Sequence, residues 1–384
     1  MVSEHLALIA LNMVQDVGAV TARRLTDAFG SAAAALGASE DDLLDCPGIG
    51  RARAAALADA FRRVDPEAEE RRAGKLGVTL VTRADAAYPA ALATIYDPPL
   101  ALYCFGDLAA FAAPAVAMVG TRTPSVYGRE TAERFAYAFA AAGYAVVSGM
   151  ARGIDSAAHR GALAAKGRTI GVLGGAIDCF YPPENKELGR SVAKSNGLVI
   201  SEYPLGRQPD RQTFPMRNRI ISGLSRATLV VEAATKSGSL ITASQAAEQG
   251  RTVMAVPGRI DVPTSQGCNR LIRDGALIAL CPEDVLDELA TLPLAAPDGA
   301  PPRPRAAEGP SVAPSPASSP SAAPFVPLSP DEQSLVDALG PEEVQIDELI
   351  RLSGVEAGRA NALLIALQLK RLVTLLPGGW VKRA

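Results

Sequence analysis

Residues 212–258, QTFPMRNRIISGLSRATLVVEAATKSGSLITASQAAEQGRTVMAVPG, gather the side chains of this chain best suited to holding an anion. Arg217, Asn218 and Arg219 precede a short helix-like turn, an apolar strand follows over Ala227–Val231, and Lys236, Ser237 and Gly238 lead into a helix over Ser239–Gln249. Guanidinium forks beside a glycine-rich helix start present N–H donors to anionic oxygen, so the segment predicts a phosphate-binding surface. Phe214 stands directly before the cluster, where a ring can stack on a base for about 1–3 kcal/mol. Tyr181, followed by Pro182 and Pro183, reads instead as packing. Two alternatives stay open. Asn218 either touches the ligand or holds its loop through backbone hydrogen bonds. Arg217 and Arg219 either face phosphate or pair with Glu202 or Glu232.

Other turns of the same kind recur. Val119-Gly120-Thr121-Arg122, Ser148-Gly149-Met150-Ala151-Arg152-Gly153 and Gly174-Gly175-Ala176 each follow an apolar strand and run towards a helix, as does the turn at Lys236. In a parallel sheet the carboxyl ends of neighbouring strands share one edge, so these turns should converge. Helix N-termini there carry partial positive charge, and Arg122, Arg152 and Lys236 add full charges. The dinucleotide pattern G-x-G-x-x-G is missing at Gly120, and no Gly-Lys-Ser/Thr closes any of the turns, so neither a nicotinamide nor a nucleotide-hydrolysing P-loop is expected. No nucleophile stands beside a base. Ser148, Ser237 and Ser239 lie in turns, His159 lacks a triad partner and reads as a structural hydrogen-bonder, and Asp155 reads as the cap of its helix. No catalytic residue, metal ligand or cofactor is expected.

The elements that must position these groups fall into four segments. Residues 1–70 are Ala-rich and helical, and contain a repeat: Val17-Gly18 to Asp27-Ala28-Phe29 matches Ile49-Gly50 to Asp59-Ala60-Phe61. The second copy, with Pro47-Gly48-Ile49-Gly50, has the form of a helix-hairpin-helix turn; a plain helical packing module explains it equally well. Residues 75–290 alternate short strands with helices, which predicts a parallel sheet covered on both faces, a Rossmann-like α/β core. Strands are expected at Val78–Thr82, Ala115–Gly120, Ala145–Ser148, Thr169–Gly174, Gly197–Ser201, Ala227–Val231, Thr252–Val256 and Leu277–Leu280. Twelve of the 29 prolines lie between Pro293 and Pro330, too many for a packed core, so 291–328 reads as a tether. Residues 329–384 recover periodicity as three helical segments (Asp331–Leu339, Ile346–Leu352, Glu356–Leu369) and a hairpin over Val373–Lys382, a winged-helix pattern suited to DNA or protein.

Bulk properties narrow the class. With 384 residues, 48% hydrophobic and 21% charged, the chain is globular and of multidomain size. A net charge of −3 excludes a generally basic coat protein, so an anion site must be local. Residues 206–226 meet that condition, with Arg207, Arg211, Arg217, Arg219 and Arg226 against Asp210 alone. Five widely spaced cysteines without a CxxC pair, and only two histidines, argue against a disulfide framework and a zinc cage. The N-terminus lacks a basic leader and no apolar run reaches membrane length, so a cytoplasmic location is expected.

The ordered blocks VGTRTPSVYG (119–128), SGMARGIDSAAHRGAL (148–163), TIGVLGGAIDCFYPPEN (169–185), ISEYPLGRQP (200–209), FPMRNRIISGLS (214–225), VVEAATKSGSLITA (230–243) and GRTVMAVPG (250–258) resemble the DNA-processing protein A (DprA, also Smf) family of bacteria over nearly the whole chain. The resemblance implies an extended Rossmann-like core, preceded by a SAM-like helical domain and followed by a winged helix. It implies a single-stranded DNA-binding protein of natural transformation that shields incoming strands, helps load the RecA recombinase and forms a homodimer through the core. By the same resemblance the DNA pocket takes Arg122, Gly149, Phe214, Arg217, Asn218, Arg219, Lys236 and Ser237; Arg152 joins them on its position in the sequence. The alternative is a nucleotide phosphoribohydrolase on a related core. Against it, Glu232 to Leu240 lacks the double glycine and final glutamate of that family's Pro-Gly-Gly-x-Gly-Thr-x-x-Glu motif.

Overall fold

The computed structural model describes residues 2–15, 17–292, 329–339, 344–355, 359–360, 363–364, 367, 373–376 and 380–383. They divide into two compact units at residue 304. In the first, short apolar runs form nine strands: β1 (Thr79–Thr82), β2 (Ala101–Gly106), β3 (Ala115–Val119), β4 (Ala145–Gly149), β5 (Thr169–Val172), β6 (Leu198–Ser201), β7 (Ala227–Val230), β8 (Thr252–Ala255) and β9 (Leu277–Ile278). The sheet order is β1-β2-β6-β5-β4-β3-β7-β8-β9. Neighbours from β6 to β9 are parallel, whereas β2 runs antiparallel to both β6 and β1.

The expectation of a purely parallel sheet is thus corrected at one edge. Strand β2, ALYCFG, begins one residue after the turn-forming Asp97-Pro98-Pro99 and is not among the strands expected from the sequence. Its direction has a simple cause. An antiparallel β2 finishes at the edge where β3 begins, so residues 107–114 need only pass beneath the sheet. A parallel β2 would have needed a return along the full strand length.

Alternation along the central strands supplies both faces of the core. Val116 and Met118 of β3 pack with Phe135 and Phe139 under the helices Val126–Ala141 and Ile154–Ala164. Ala117 and Val119 point the other way, to Ile220, Ile221 and Ala243 of the helices Thr213–Gly223 and Ser239–Glu248. The helix expected at Ser191–Ser195 instead covers Lys186–Lys194.

Six helices precede the sheet. The internal repeat has a structural counterpart: Gly18 and Gly50 are the N-caps of Ala19–Phe29 and Arg51–Arg63, neither with a side-chain cap, and Arg53 Nη2 donates to Thr21 Oγ1 at 3.1 Å between the copies. These helices share a core with the sheet. Ile9 packs with Val78, Leu80, Ala101 and Tyr103, and the buried Glu69 accepts from the Tyr103 hydroxyl (3.0 Å) and the Leu205 amide (2.8 Å).

The second unit holds helices Pro330–Ala338 and Ile346–Ser353 and a three-stranded sheet in which β12 (Trp380–Arg383) lies between β10 (Val344–Gln345) and β11 (Val373–Leu376). Leu335, Leu349, Leu364, Val373 and Val381 form its core. The tether from 293 to 328, most of the third helix and the hairpin tip at 377–379 lie outside the described residues.

Because Ile9 is fully enclosed between helix and sheet, Ile9→Ala should lower the unfolding free energy of the full chain by about 2–5 kcal/mol. Urea unfolding followed by far-UV circular dichroism measures it; an unchanged midpoint would show that this cluster does not join the helices to the sheet.

Candidate nucleic-acid interface

Chain order reverses between β3 and β7: β4, β5 and β6 are laid down on one side, β8 and β9 on the other. A crevice opens at such a point, because the connections leave it in opposite directions. Here it is a cleft of about 330 Å³, lined by Gly120 and Arg122 after β3, Asp155 after β4, Phe214, Arg217 and Asn218 on the Thr213–Gly223 helix, and Ser237, Gly238, Ser239, Ile241 and Thr242 after β7. A smaller hollow adjoins it through Arg122, Phe214 and Arg217, adding Arg152, Gly174 and Tyr181. The glycine turns therefore do share one rim.

Arg217, Asn218 and Arg219 do not precede a short turn; all three lie inside the helix Thr213–Gly223. At 100° per residue, Arg217 and Arg219 are about 200° apart on that helix and face different surroundings. The Arg217 guanidinium is 5% exposed and reaches across the strand ends, where Nη1 donates to the Val172 carbonyl. Gly149 is what admits it, since a Cβ there would collide with the guanidinium. Burial lowers the Arg217 pKa, with the Asp155 charge opposing. Its Nε has no hydrogen-bond partner among the described residues.

Arg219 is committed elsewhere. Its Nε donates to Asp97 Oδ2 at 2.8 Å and its Nη2 to Glu202 Oε2 at 2.6 Å. Burial alone would lower its pKa, but the two carboxylates outweigh that and raise it. The expected pairing with Glu202 is thus realised for Arg219, and Arg219 does not line the cleft.

The remaining candidates divide by position. Phe214 is half-buried against Gly174, where a Cβ would strike its ring. The Arg122 guanidinium lies 5.4 Å from the Phe214 centroid, and the Tyr181 ring 5.9 Å away at 50°. Tyr181, expected to be packed, is 41% exposed. Asn218 Nδ2 donates to the Gly238 carbonyl at 3.4 Å, so it ties its helix to the β7 turn. Ser237 Oγ is 2.6 Å from Ser239 Oγ, and Lys236 is exposed beside it. Arg152 is exposed but paired with Glu184, which raises its pKa.

Several turn amides expected to face an anion are already used. Thr121 N donates to Glu232 O (2.7 Å), Ile154 N to Thr121 O (3.1 Å) and Ala151 N to Gly149 O (2.6 Å). Asp155 is not a cap: Gly153 holds that position, and Asp155 lies in the first turn as a buried wall of the cleft, a role sequence reasoning missed. Burial pushes its pKa up to about 6, against the lowering influence of Arg217. His159 is structural, its Nδ1 2.7 Å from Thr169 Oγ1, and burial drives its pKa down to about 3. Glu232 pairs with neither arginine; it accepts from Ser125 N (2.9 Å) and Thr264 Oγ1 (2.6 Å). Among the described residues no cluster could hold a metal ion, and the five cysteines are free thiols.

An aromatic ring and several cations thus stand together at the switch point of a doubly wound sheet, the arrangement of an α/β protein whose cleft lies at its strand-end rim. Comparison makes the assignment specific. Residues 79–290 match the family model described as DNA recombination-mediator protein A, 8–63 match a SAM-like helix-hairpin-helix tandem, and 315–379 match the DprA winged helix domain. The chain belongs to the DNA recombination-mediator protein A (DprA/Smf) family. It is 38% identical over 296 residues to Protein Smf of Synechocystis, covering 76% of this chain and 74% of that one. It is 42% identical over 214 residues to DNA processing protein DprA of Bacillus subtilis, covering 56% and 72%. Among solved structures, DprA of Streptococcus pneumoniae superposes with a TM-score of 0.58 at 38% identity, over 65% of this chain and 84% of that one. DNA processing protein A of Helicobacter pylori, whose structure was described for its single-stranded DNA binding mode, gives 0.50 at 29%, over 56% and 95%.

Removing the arginine between two carboxylates leaves them uncompensated. Arg219→Ala should therefore destabilise the protein by about 3–5 kcal/mol, measured by chemical denaturation. A loss below about 1 kcal/mol would mean that the ion pairs contribute little.

Proposed function

We propose that this protein binds single-stranded DNA in the cleft at the β3/β7 switch point, shields it, and passes it to a recombinase without altering it chemically. The observation that carries the reading is the convergence of Arg122, Phe214, Arg217 and Ser237 on one cleft, with the exposed Lys236 next to Ser237 in the chain. Guanidinium and ammonium groups follow a phosphodiester backbone without reading sequence, and a ring accepts any base. Membership of a recombination-mediator family supports the same reading, and so does the single-stranded DNA binding mode named for the Helicobacter pylori relative. Asn218 then acts through the Gly238 turn, Gly149 through Arg217, and Arg219 through the ion pairs that hold its helix. Arg152 joins the contact set only by exchanging Glu184 for phosphate.

Chemistry on the strand is not part of this proposal. Ser148 Oγ donates to the Met118 carbonyl, and His159 is buried and neutral, so neither forms a nucleophile–base pair. We assign RecA recombinase as the partner that receives the strand, and the cytoplasm as the place; no described helix is long and apolar enough to cross a membrane.

We also infer a homodimer through the core. The edge strand β9 leaves Leu277 and Ile278 about half exposed, and Leu280 beside it is 64% exposed. An uncovered apolar strand edge is a template for pairing with a second copy.

Oligo-dT titrations over a range of salt test the binding surface. Arg122→Ala and Lys236→Ala should each weaken binding to all sequences alike and reduce the log–log salt slope by about 0.7 per lost phosphate contact. Phe214→Ala should cost about 1–3 kcal/mol. Arg219→Ala should leave the slope unchanged. A wild-type protein that does not bind oligo-dT would end the proposal. For the dimer, Leu280→Glu should shift sedimentation equilibrium to monomer; an unaltered mass places the interface elsewhere.

A further inference from the structure

We infer that Asp155 is the resident counter-ion of the cleft and that a single strand binds there with uptake of a proton by this carboxyl, so that occupancy of the cleft and protonation of Asp155 are linked. The inference rests on the binding reading above and adds a proton to it.

Asp155 is 7% exposed and lines the same cleft as Arg122 and Arg217. Arg217 is 5% exposed, its hydrogen bond goes to a neutral carbonyl, and its Nε has no partner. Asp155 is the acidic residue of that cleft lining, so its charge compensates a guanidinium that no carboxylate contacts in an ion pair among the described residues. The cleft lining thus holds two cations and one buried anion. A phosphodiester drawn to Arg122 and Arg217 brings a second anion into that space. Two like charges in a low-dielectric site disfavour double ionisation, so the carboxyl with the higher pKa takes a proton. Asp155 is poised for it, since burial has already pushed its pKa up to about 6.

The sign follows from linkage. If the strand raises the Asp155 pKa, protonation of Asp155 tightens the strand by the same factor. Affinity therefore rises as pH falls, by up to about tenfold per pH unit between the pKa of the bound state and that of the free state, and levels off below about 6. Other groups around Asp155 do not mimic this. Arg122 and Arg217, from the β3 turn and the Thr213–Gly223 helix, are guanidinium groups, and Ser148 of β4 and Ser237 and Ser239 of the β7 turn are hydroxyls; neither kind exchanges a proton with solvent between pH 6 and 8 as a carboxyl or imidazole does. His159, one turn further along the same helix, is held neutral by burial. The other histidine, His5, sits against Asp85 and Glu70 on the N-terminal helices.

Titration calorimetry of the full chain with oligo-dT, in buffers of different ionisation enthalpy, counts the protons taken up. We expect net uptake of a fraction of a proton at pH 7, and binding at pH 6.5 several-fold tighter than at pH 7.5. Asp155→Asn should abolish the uptake, flatten the pH profile and bind more tightly than wild type at pH 7.5. Wild-type binding without proton uptake anywhere between pH 6 and 8 overturns the linkage while leaving strand binding intact, and this arm stands even if Asp155→Asn fails to fold. Uptake that persists in a folded Asp155→Asn overturns the assignment to Asp155. A wild type that binds no oligo-dT at any pH withdraws the binding reading and the linkage together.

Discussion

A buried guanidinium organises this site. Arg217 leaves the Thr213–Gly223 helix, passes over Gly149 and ends on the Val172 carbonyl, so one side chain joins that helix to the carboxyl ends of β4 and β5. Holding a cation there is costly, and a neutral carbonyl with a charge in the neighbouring helix offsets only part of the cost. Much of the local sequence follows from accommodating it. Position 149 has no room for a Cβ, and the Asp155 charge offsets part of the Arg217 charge. Phe214, three residues before Arg217 and so on the same side of the helix, is brought down onto Gly174. The cleft has its shape because Arg217 is where it is.

How much of this was legible in the sequence depends on which physical signal each part carries. Eight of the nine strands are short apolar runs between turn residues, and composition alone located them. Strand β2 carries the same kind of run, but it follows Asp97-Pro98-Pro99, where turn chemistry masks it. The convergence of the glycine turns was also legible, because strand direction fixes the edge on which they emerge. What a linear pattern could not supply was angle. Arg217 and Arg219 read as a pair around Asn218, yet an α-helix turns them about 200° apart, one into the cleft and the other onto Glu202 and Asp97. The repeat of residues 17–29 at 49–61 was visible as letters. That both glycines are helix N-caps is a property of the backbone angles, which letters do not carry.

The glycines of the rim were expected to bare their amides. They also serve close packing within the protein. Gly149 admits a guanidinium, Gly174 a phenyl ring, and Gly153 lies against the backbone of Thr121 and Arg122 with φ at +79°. A missing Cβ serves close approach of any neighbour, and sequence does not say whether that neighbour is a ligand or the protein itself.

The position of Glu232 explains why a doubly wound sheet of this order need not hold a nucleotide. In such sheets the first strand-to-helix turn normally cradles a phosphate on the helix N-terminus. Here that helix is Val126–Ala141, and its N-terminus already has an anion. Glu232, arriving from the end of β7, accepts from the Ser125 amide, takes the Thr264 hydroxyl on its other oxygen, and packs where Gly128 has no side chain. Its own carbonyl accepts from Thr121, so backbone and carboxylate together close the turn. A phosphate entering there would have to displace a carboxylate that is 5% exposed and doubly hydrogen-bonded. The space left open lies on the other side of Gly120, in the cleft between the Thr213–Gly223 helix and the β7 turn, and on the proposed reading such a cleft takes a run of phosphates along its cations.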